Sequence, residues 1–135
     1  MIPTEAKDRA RTIWYEEFAD TILIGAGGKM FFNRLVMPRF MGKPGDEAVA
    51  AHAETVELPP ILKYLEGVIP ASGYLVAGRL TLADLAVASP FVNLEHIGFT
   101  VDPATYPKLA AYVKAILARP SFAGNIAAEK RMLGG

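Results

Sequence analysis

The sequence predicts a single domain made only of α-helices. Apolar side chains recur every three or four residues over long stretches, which is the spacing of one face of a helix. Proline, glycine and capping residues mark the ends of these stretches. One short apolar piece between them, Tyr74-Leu75-Val76, is too isolated to build a sheet. A chain of 135 residues is close to the usual size of one domain, so we expect one hydrophobic core.

The first predicted helix runs from Pro3 to Met41. Pro3 suits a first helical turn, because its missing N–H is not needed there. Each glycine of Gly25-Ala26-Gly27-Gly28 disfavours a helix by about 1 kcal/mol relative to alanine. We therefore expect two half-helices with a bend or close packing between them. Its regularly spaced apolar residues are Ile13, Trp14, Phe18, Ile22 and Leu23, followed by Phe31, Phe32, Leu35 and Val36.

A second helix is predicted from Asp46 to about Glu66. The segment Gly42-Lys43-Pro44-Gly45 separates it from the first helix, and Asp46 is a favourable N-cap residue. Pro59-Pro60 removes two backbone donors, so the helix should kink or split there.

The third helix is predicted to begin at Thr81. The side chain of Thr81 can accept a hydrogen bond from the N–H of Asp84, and the carboxylate of Asp84 can accept one from the N–H of Thr81. Leu80 and Leu85 occupy the positions of a hydrophobic staple around the same boundary. Pro90 lies inside this helix and should kink it.

Two further helices complete the prediction. Tyr106-Pro107 opens a helix from Lys108 to Ala118, and four of its apolar residues form one face. Pro120-Ser121 ends that helix and caps a last one, which extends to about Leu133.

Composition excludes several functional classes. Fourteen basic residues balance fourteen acidic ones, so no overall positive field attracts nucleic acid or an anionic membrane. The absence of cysteine excludes disulfides, thiolate zinc sites and a cysteine nucleophile. No apolar run approaches the roughly twenty residues that span a bilayer, and no signal peptide is evident, so we expect a cytoplasmic protein. A hydrophobic fraction of 52% is high for an isolated domain and predicts apolar surface that meets a partner.

Polar residues that could carry chemistry have simpler structural explanations. His52 and His96 lie on different predicted helices without further ligands at metal-binding spacing, so we expect no metal site. Ser89 and His96 could share a face, but Pro90 lies between them and nothing marks an oxyanion hole. Asp84 could be an acid or base in an apolar neighbourhood, although helix capping explains it better.

Two apolar or glycine-rich features also have a structural interpretation. The segment from Gly25 to Lys29 lacks the spacing of a phosphate-binding loop and follows no predicted strand, so a helix bend is favoured. A set of aromatic residues could line a pocket for an apolar ligand or belong to the core, and the spacing alone leaves both possibilities open. These residues are Trp14, Tyr15, Phe18, Phe31 and Phe32.

The stretch from Gly73 to Ala86, which contains Thr81-Leu82-Ala83-Asp84, resembles the signature of the C-terminal domain of glutathione transferases. Further matches occur in the same order along essentially the whole chain. They are Trp14 with Phe18-Ala19-Asp20, Phe31-Phe32-Asn33-Arg34 to Pro38-Arg39-Phe40, Gly98-Phe99, Tyr106-Pro107-Lys108-Leu109 and Arg119-Pro120-Ser121-Phe122.

This resemblance implies a right-handed bundle of about five helices spanning residues 1–135. In this family an N-terminal thioredoxin-like domain binds the co-substrate glutathione and supplies the residue that activates its thiol. The chain begins where the linker from that domain would end, so we expect that domain to be absent. We therefore assign no catalytic residue and no cofactor to this chain, and we expect it to be inactive alone.

The resemblance also implies roles for individual residues. Asp20 resembles an aspartate that contacts glutathione across the dimer, although it could equally be a solvated helix carboxylate. Gly27, Met30 and Phe31 resemble the wall of the hydrophobic electrophile subsite. Thr81 and Asp84 match the capping box of the family, whose role is folding. The domain is expected to form a homodimer or to self-associate through apolar surface.

Three functions remain open at this point. The first is the helical half of a glutathione transferase, whose class and electrophile the sequence does not specify. The second is a non-catalytic helical module for protein–protein assembly, since similar domains serve as adaptors. The third is a binding protein for apolar small molecules.

Overall fold

The computed structural model describes residues 2–133 and shows five helices and no strand within that range, which confirms the predicted fold class. Their bounds are residues 6–40 for α1, residues 47–68 for α2, Leu82–His96 for α3, Pro107–Leu117 for α4 and Pro120–Met132 for α5.

Helices α1 and α2 are continuous but contain widened π-helical turns, in which an N–H bonds to the carbonyl five residues earlier. The turns are Ala19–Leu23 and Phe32–Val36 in α1 and Ala53–Glu57 in α2. The glycine run stays in the regular segment Ile24–Phe31, so the predicted division of α1 at these glycines is wrong. The interruption predicted at Pro59-Pro60 is a widened turn just before the prolines, and α2 continues through them.

The two N-terminal helices are capped by carboxylates. Helix α1 begins at Ala6 and not at Pro3, because the carboxylate of Glu5 accepts hydrogen bonds from the backbone N–H groups of residues 7 and 8, at 3.2 and 2.9 Å. Those bonds lower the pKa of Glu5. Asp46 caps α2 as predicted and accepts from the N–H groups of residues 48 and 49, at 3.0 and 3.2 Å.

Helices α1 and α2 approach closely at the turn that joins them. A Cβ atom added to Gly45 would lie 1.6 Å from the carbonyl oxygen of Asn33, so only glycine fits there. The side chain of Asn33 also accepts a hydrogen bond from the N–H of Asp46 at 3.0 Å. Arg34 on α1 pairs with Glu47 on α2 at 2.7 Å. The antiparallel arrangement of the two helices therefore depends on backbone contact as well as on charge.

Helix α3 is the central element of the fold. It packs against α1 and α4, and eight of its fifteen residues are buried. A helix that is apolar around most of its circumference belongs in a core. Pro90 is buried within α3, and the helix continues past it to His96.

The predicted capping box at the start of α3 is confirmed and belongs to a larger network. Asp84 is fully buried, and its Oδ2 accepts a hydrogen bond from the N–H of Thr81 at 3.0 Å. Its Oδ1 accepts from the N–H of Leu75 at 3.0 Å and from the hydroxyl of Tyr112 at 2.8 Å. Burial, together with the Asp84 charge, raises the pKa of Tyr112, so its phenol stays a neutral donor. One carboxylate thus joins α3, the preceding loop and α4.

Helices α4 and α5 are attached to the rest of the fold through further carboxylates. Glu66 on α2 accepts hydrogen bonds from the N–H groups of Lys108 and Leu109, at 3.1 and 2.8 Å, and so caps α4 from a different helix. Helix α5 has no buried residue. It is connected to α3 by Glu129, whose Oε2 lies 2.8 Å from Nε2 of His96.

Candidate functional site

The first candidate site is formed by apolar side chains exposed on the first two helices. Nine of the twelve exposed large apolar side chains in the described residues lie on α1 and α2, whereas α3 and α4 expose none. Apolar exposure concentrated on two elements is typical of a surface that meets a partner or a ligand. We call this the α1–α2 apolar surface, and its residues are Ile13, Trp14, Ile22, Ile24, Phe32, Phe40, Val49, Val56 and Tyr64.

Several members of this surface belong to the regularly spaced apolar residues that predicted the first helix. Ile13, Trp14 and Ile22 instead expose 46%, 51% and 46% of their area, while Phe18 is only 5% exposed. The apolar pattern of α1 is therefore wider than the stripe that α3 covers. Part of the apolar periodicity that predicted this helix therefore lies on its exposed side and not in the core.

Aromatic contacts fix one end of this surface. The indole N–H of Trp14 donates a hydrogen bond to the hydroxyl of Tyr64 at 3.1 Å, which links α1 to α2. The rings of Phe18 and Tyr64 lie 5.0 Å apart between centroids, in a tilted arrangement. These contacts hold two partly exposed rings in place, so the surface is preorganised at this end.

The residues predicted for the hydrophobic subsite lie together on the segment Ile24–Phe31. Met30 is fully buried in the core. Gly27 is buried as well, and a Cβ atom at this position would lie 3.6 Å from the side chain of Leu94 on α3. Phe31 is half-buried and is the member of the three that reaches the surface. Gly27 thus provides the close packing predicted for the glycine run.

Asp20 is exposed on the widened turn Ala19–Leu23, two residues before Ile22 of the α1–α2 apolar surface. Widened turns of this kind occur frequently at functional sites, because they shift the register of the side chains that follow. No feature of the sequence analysis indicated this turn. The side chain of Asp20 is exposed to solvent in this turn, and the role that the resemblance implies for it stays a prediction.

The histidines form carboxylate pairs instead of a metal site. Nδ1 of His52 lies 3.1 Å from Oε2 of Glu57, and hydrogen bonds from Lys29 and then His52 lower the pKa of Glu57. No group of three or more histidine, aspartate or glutamate residues capable of holding a metal occurs within residues 2–133. The hydroxyl of Ser89 donates to the backbone carbonyl of residue 85. None of the helices within residues 2–133 combines the length and the apolar composition of a transmembrane span.

Comparisons with known proteins identify the fold. The family model for the glutathione S-transferase C-terminal domain matches residues 33–128. A solved structure of glutathione S-transferase I bound with lactoylglutathione aligns with a TM-score of 0.78 and 24% identity, over 90% of this chain and 57% of that one. A possible glutathione S-transferase from Rhodopseudomonas palustris aligns with a TM-score of 0.71 and 22% identity, over 89% and 52%.

The chain thus spans little more than half the length of these two structures. Their sequence identity is low, so the structural likeness shows the fold alone. The comparison with curated protein sequences gives no match. The family model, however, covers more than half of the chain in one continuous block. The chain therefore belongs to the glutathione S-transferase C-terminal domain family.

Proposed function

We propose that this chain is the helical half of a cytoplasmic glutathione transferase, in which α1 and α2 form one wall of the site for apolar electrophiles and contact a second subunit. The observation that supports this proposal is the α1–α2 apolar surface, which the chain itself leaves uncovered. In the proposed enzyme, a thioredoxin-like domain holds the co-substrate glutathione. Asp20 is exposed on α1, where a carboxylate could accept a hydrogen bond from the amino end of glutathione on the partner subunit.

Two buried hydroxyl groups of this chain already serve its own fold. The hydroxyl of Thr12 donates to the carbonyl oxygen of Asp8 at 2.8 Å, and that of Tyr112 donates to Asp84. Activation of a thiol requires a donor or base that points at the sulfur atom. We therefore propose that thiol activation belongs to the thioredoxin-like domain and that this chain is inactive alone.

The catalytic half of this proposal is tested by a conjugation assay. The chain at high concentration is mixed with glutathione and 1-chloro-2,4-dinitrobenzene, and product formation is compared with the reaction without protein. We expect the two rates to be equal. Turnover that scales with protein concentration would show that the chain carries its own activating group and would overturn the proposal of inactivity.

The electrophile wall is tested by binding of an unreactive aromatic probe. Titration with 2,4-dinitrotoluene, followed by the backbone amide resonances, should shift residues 27–32 and leave α4 unaffected. Phe31→Ala should weaken the binding, because it removes the half-buried ring that reaches the surface. Ala128→Val, an apolar change at an exposed position of α5, serves as the control. Unchanged binding by Phe31→Ala would exclude this wall.

The subunit contact is tested by sedimentation. We expect the chain to self-associate, because a dimer would cover part of the α1–α2 apolar surface. Phe32→Glu should shift the equilibrium towards the monomer, since Phe32 is 44% exposed on this surface. Ala128→Glu introduces the same charge at an exposed site on α5 and should leave association unchanged. A monomeric parent chain would contradict the proposed contact.

A helical assembly module is the second candidate. The Trp14–Tyr64 pair favours it, because partly exposed aromatic side chains held in fixed positions are common at protein–protein interfaces. A chain that binds no aromatic probe, and whose Trp14→Ala variant loses a protein partner, would support this function over the first.

A further inference from the structure

A concave surface lies on the C-terminal helices, apart from the α1–α2 apolar surface. It is a groove of about 740 Å³ between the end of α3, the following loop, α4 and α5. That volume lies within the range of small-molecule sites, which is about 300–1,000 Å³. The floor is apolar and includes Phe91, Phe99, Val113, Leu117 and Ile126. A groove with this volume and this lining can hold one small molecule with an apolar body.

The charged residues of the groove favour a negatively charged ligand. Lys114 and Lys130 line it, against a single acidic side chain, that of Glu95. Within residues 2–133, neither lysine takes part in a salt bridge. Helix α4 contains no acidic residue, so Lys114 is the less compensated of the two cations. An ammonium group above an apolar floor can pair with a carboxylate and still keep its contact with water.

The position of Glu129 strengthens this charge asymmetry. Glu129 precedes Lys130 on α5, but its carboxylate is bonded to His96, whose side chain is only 4% exposed. Glu129 does not line the groove. The carboxylate that is nearest to Lys130 in the sequence is therefore engaged on α3, and this same contact attaches α5 as one wall of the groove.

The inner side of α5 is incompletely covered. Phe122 and Ile126 pack against the core but stay only partly buried, and α5 contributes no fully buried residue. An apolar ligand lying along this side would cover surface that the chain leaves open, and removing apolar area from water is favourable.

From this geometry we infer that the groove binds an amphipathic carboxylate, a molecule with an extended apolar body and one acid group. The body lies on the floor formed by Phe91, Val113 and Leu117, and the carboxylate pairs with Lys114. Lys130 makes a secondary contribution, because Glu95 lines the same groove. This binding site uses α3, α4 and α5 and does not depend on the role proposed for α1 and α2.

Decanoate and its neutral counterpart decan-1-ol are suitable probes. Backbone amide resonances are followed while each is added to the isotope-labelled chain. We expect decanoate to shift resonances of α4 and α5, with an affinity clearly above that of decan-1-ol. Lys114→Glu should weaken decanoate binding by about tenfold, since it replaces one attractive charge with a repulsive one. Lys63→Glu, the same change at an exposed position on α2, should leave the affinity unchanged.

A steric pair of variants tests the location independently of charge. Ala127→Trp places a large ring inside the groove and should abolish binding, whereas Ala128→Trp, which does not line it, should not. Circular dichroism verifies that both variants are folded. Three results would overturn the inference. They are resonance shifts confined to α1 and α2, equal affinities for decanoate and decan-1-ol, and concentration-dependent shifts in the groove without ligand, which would assign it to a second copy of the chain.

Discussion

Asp84 provides the sharpest test of how this fold is stabilised. Replacing it with alanine removes the acceptor of three hydrogen bonds, those from Thr81 N–H, Leu75 N–H and Tyr112 O–H. Loss of a cap alone costs about 1 kcal/mol. Here the partners lie in the interior around a fully buried carboxylate, and each donor left unsatisfied costs about 1–3 kcal/mol. Since such costs are not additive, we expect Asp84→Ala to lower the free energy of unfolding by about 3–5 kcal/mol.

Urea denaturation followed by circular dichroism measures this effect. Thr81→Ala is the matched control, because it removes only the capping hydroxyl from the same boundary and should cost about 1 kcal/mol. Tyr112→Phe removes the phenolic hydroxyl and its hydrogen bond to Asp84, and it should also lower the free energy of unfolding by about 1 kcal/mol. If Asp84→Ala does not fold, Tyr112→Phe and Asp84→Asn still report on the network. An Asp84→Ala cost no larger than that of Thr81→Ala would refute the network and leave only a local cap.

Three further predictions concern other parts of the fold. Gly45→Ala should destabilise the domain by more than about 2 kcal/mol, because the added Cβ would collide with the Asn33 carbonyl oxygen. A Cβ at Gly25 would meet nothing within 4 Å, so Gly25→Ala should instead stabilise the domain by about 0.5–1 kcal/mol in the same denaturation experiment. Equal changes in the free energy of unfolding for the two variants would contradict the close approach at Gly45. Glu66→Ala should cost about 1 kcal/mol and increase amide exchange at residues 108 and 109, whereas unchanged exchange would exclude capping from α2. The pKa of Tyr112 in the folded chain is raised above 10.0, so its contribution to stability is complete below pH 10 and is lost as the pH rises above that value. Tyr112→Phe should therefore flatten the alkaline part of the profile of stability against pH.

Short-range patterns predicted much of this fold. The N-cap at Asp46 and the capping box at Thr81 depend on atoms within three residues of each other, so the sequence alone indicates them. The cap of α4 is different. Glu66 lies 42 residues before Lys108, and only the packing of α2 against α4 brings its carboxylate to those N–H groups. The extra bonds of Asp84 to Leu75 and Tyr112 are non-local in the same sense and could not be derived from local spacing.

Two of the three widened turns lie just before a proline. In a regular helix, a proline ring clashes with the carbonyl group four residues earlier. That carbonyl belongs to Arg34 for Pro38 and to Thr55 for Pro59. Both carbonyls lie within widened turns, Phe32–Val36 and Ala53–Glu57. Pro59-Pro60 was expected to kink or split α2, and the chain instead adds one residue to the turn before these prolines. No interruption was predicted at Pro38. No proline follows Ala19–Leu23 at this distance, and that turn has no comparable sequence signal.

The predicted site residues were harder to place because apolar periodicity does not distinguish core from binding surface. Met30 and Phe31 are adjacent in the sequence and equally apolar, yet Met30 is fully buried and Phe31 is half-buried. Which of them faces α3 depends on the register of α1, and the widened turn Ala19–Leu23 changes that register. The subsite assigned by resemblance therefore stays a prediction, and Phe31 is the member on which it depends.

The family signature and the proposed binding surfaces occupy different parts of the molecule. Thr81 and Asp84 lie in the interior, where they connect α3 to the loop before it and to α4. The α1–α2 apolar surface faces solvent and belongs to helices whose N-caps are separate from that network. Substitutions at Asp84 should therefore lower the stability of the fold, while substitutions at Phe32 should alter association with little effect on stability. The signature identifies the scaffold, and differences in what such a scaffold binds must arise on its exposed helices.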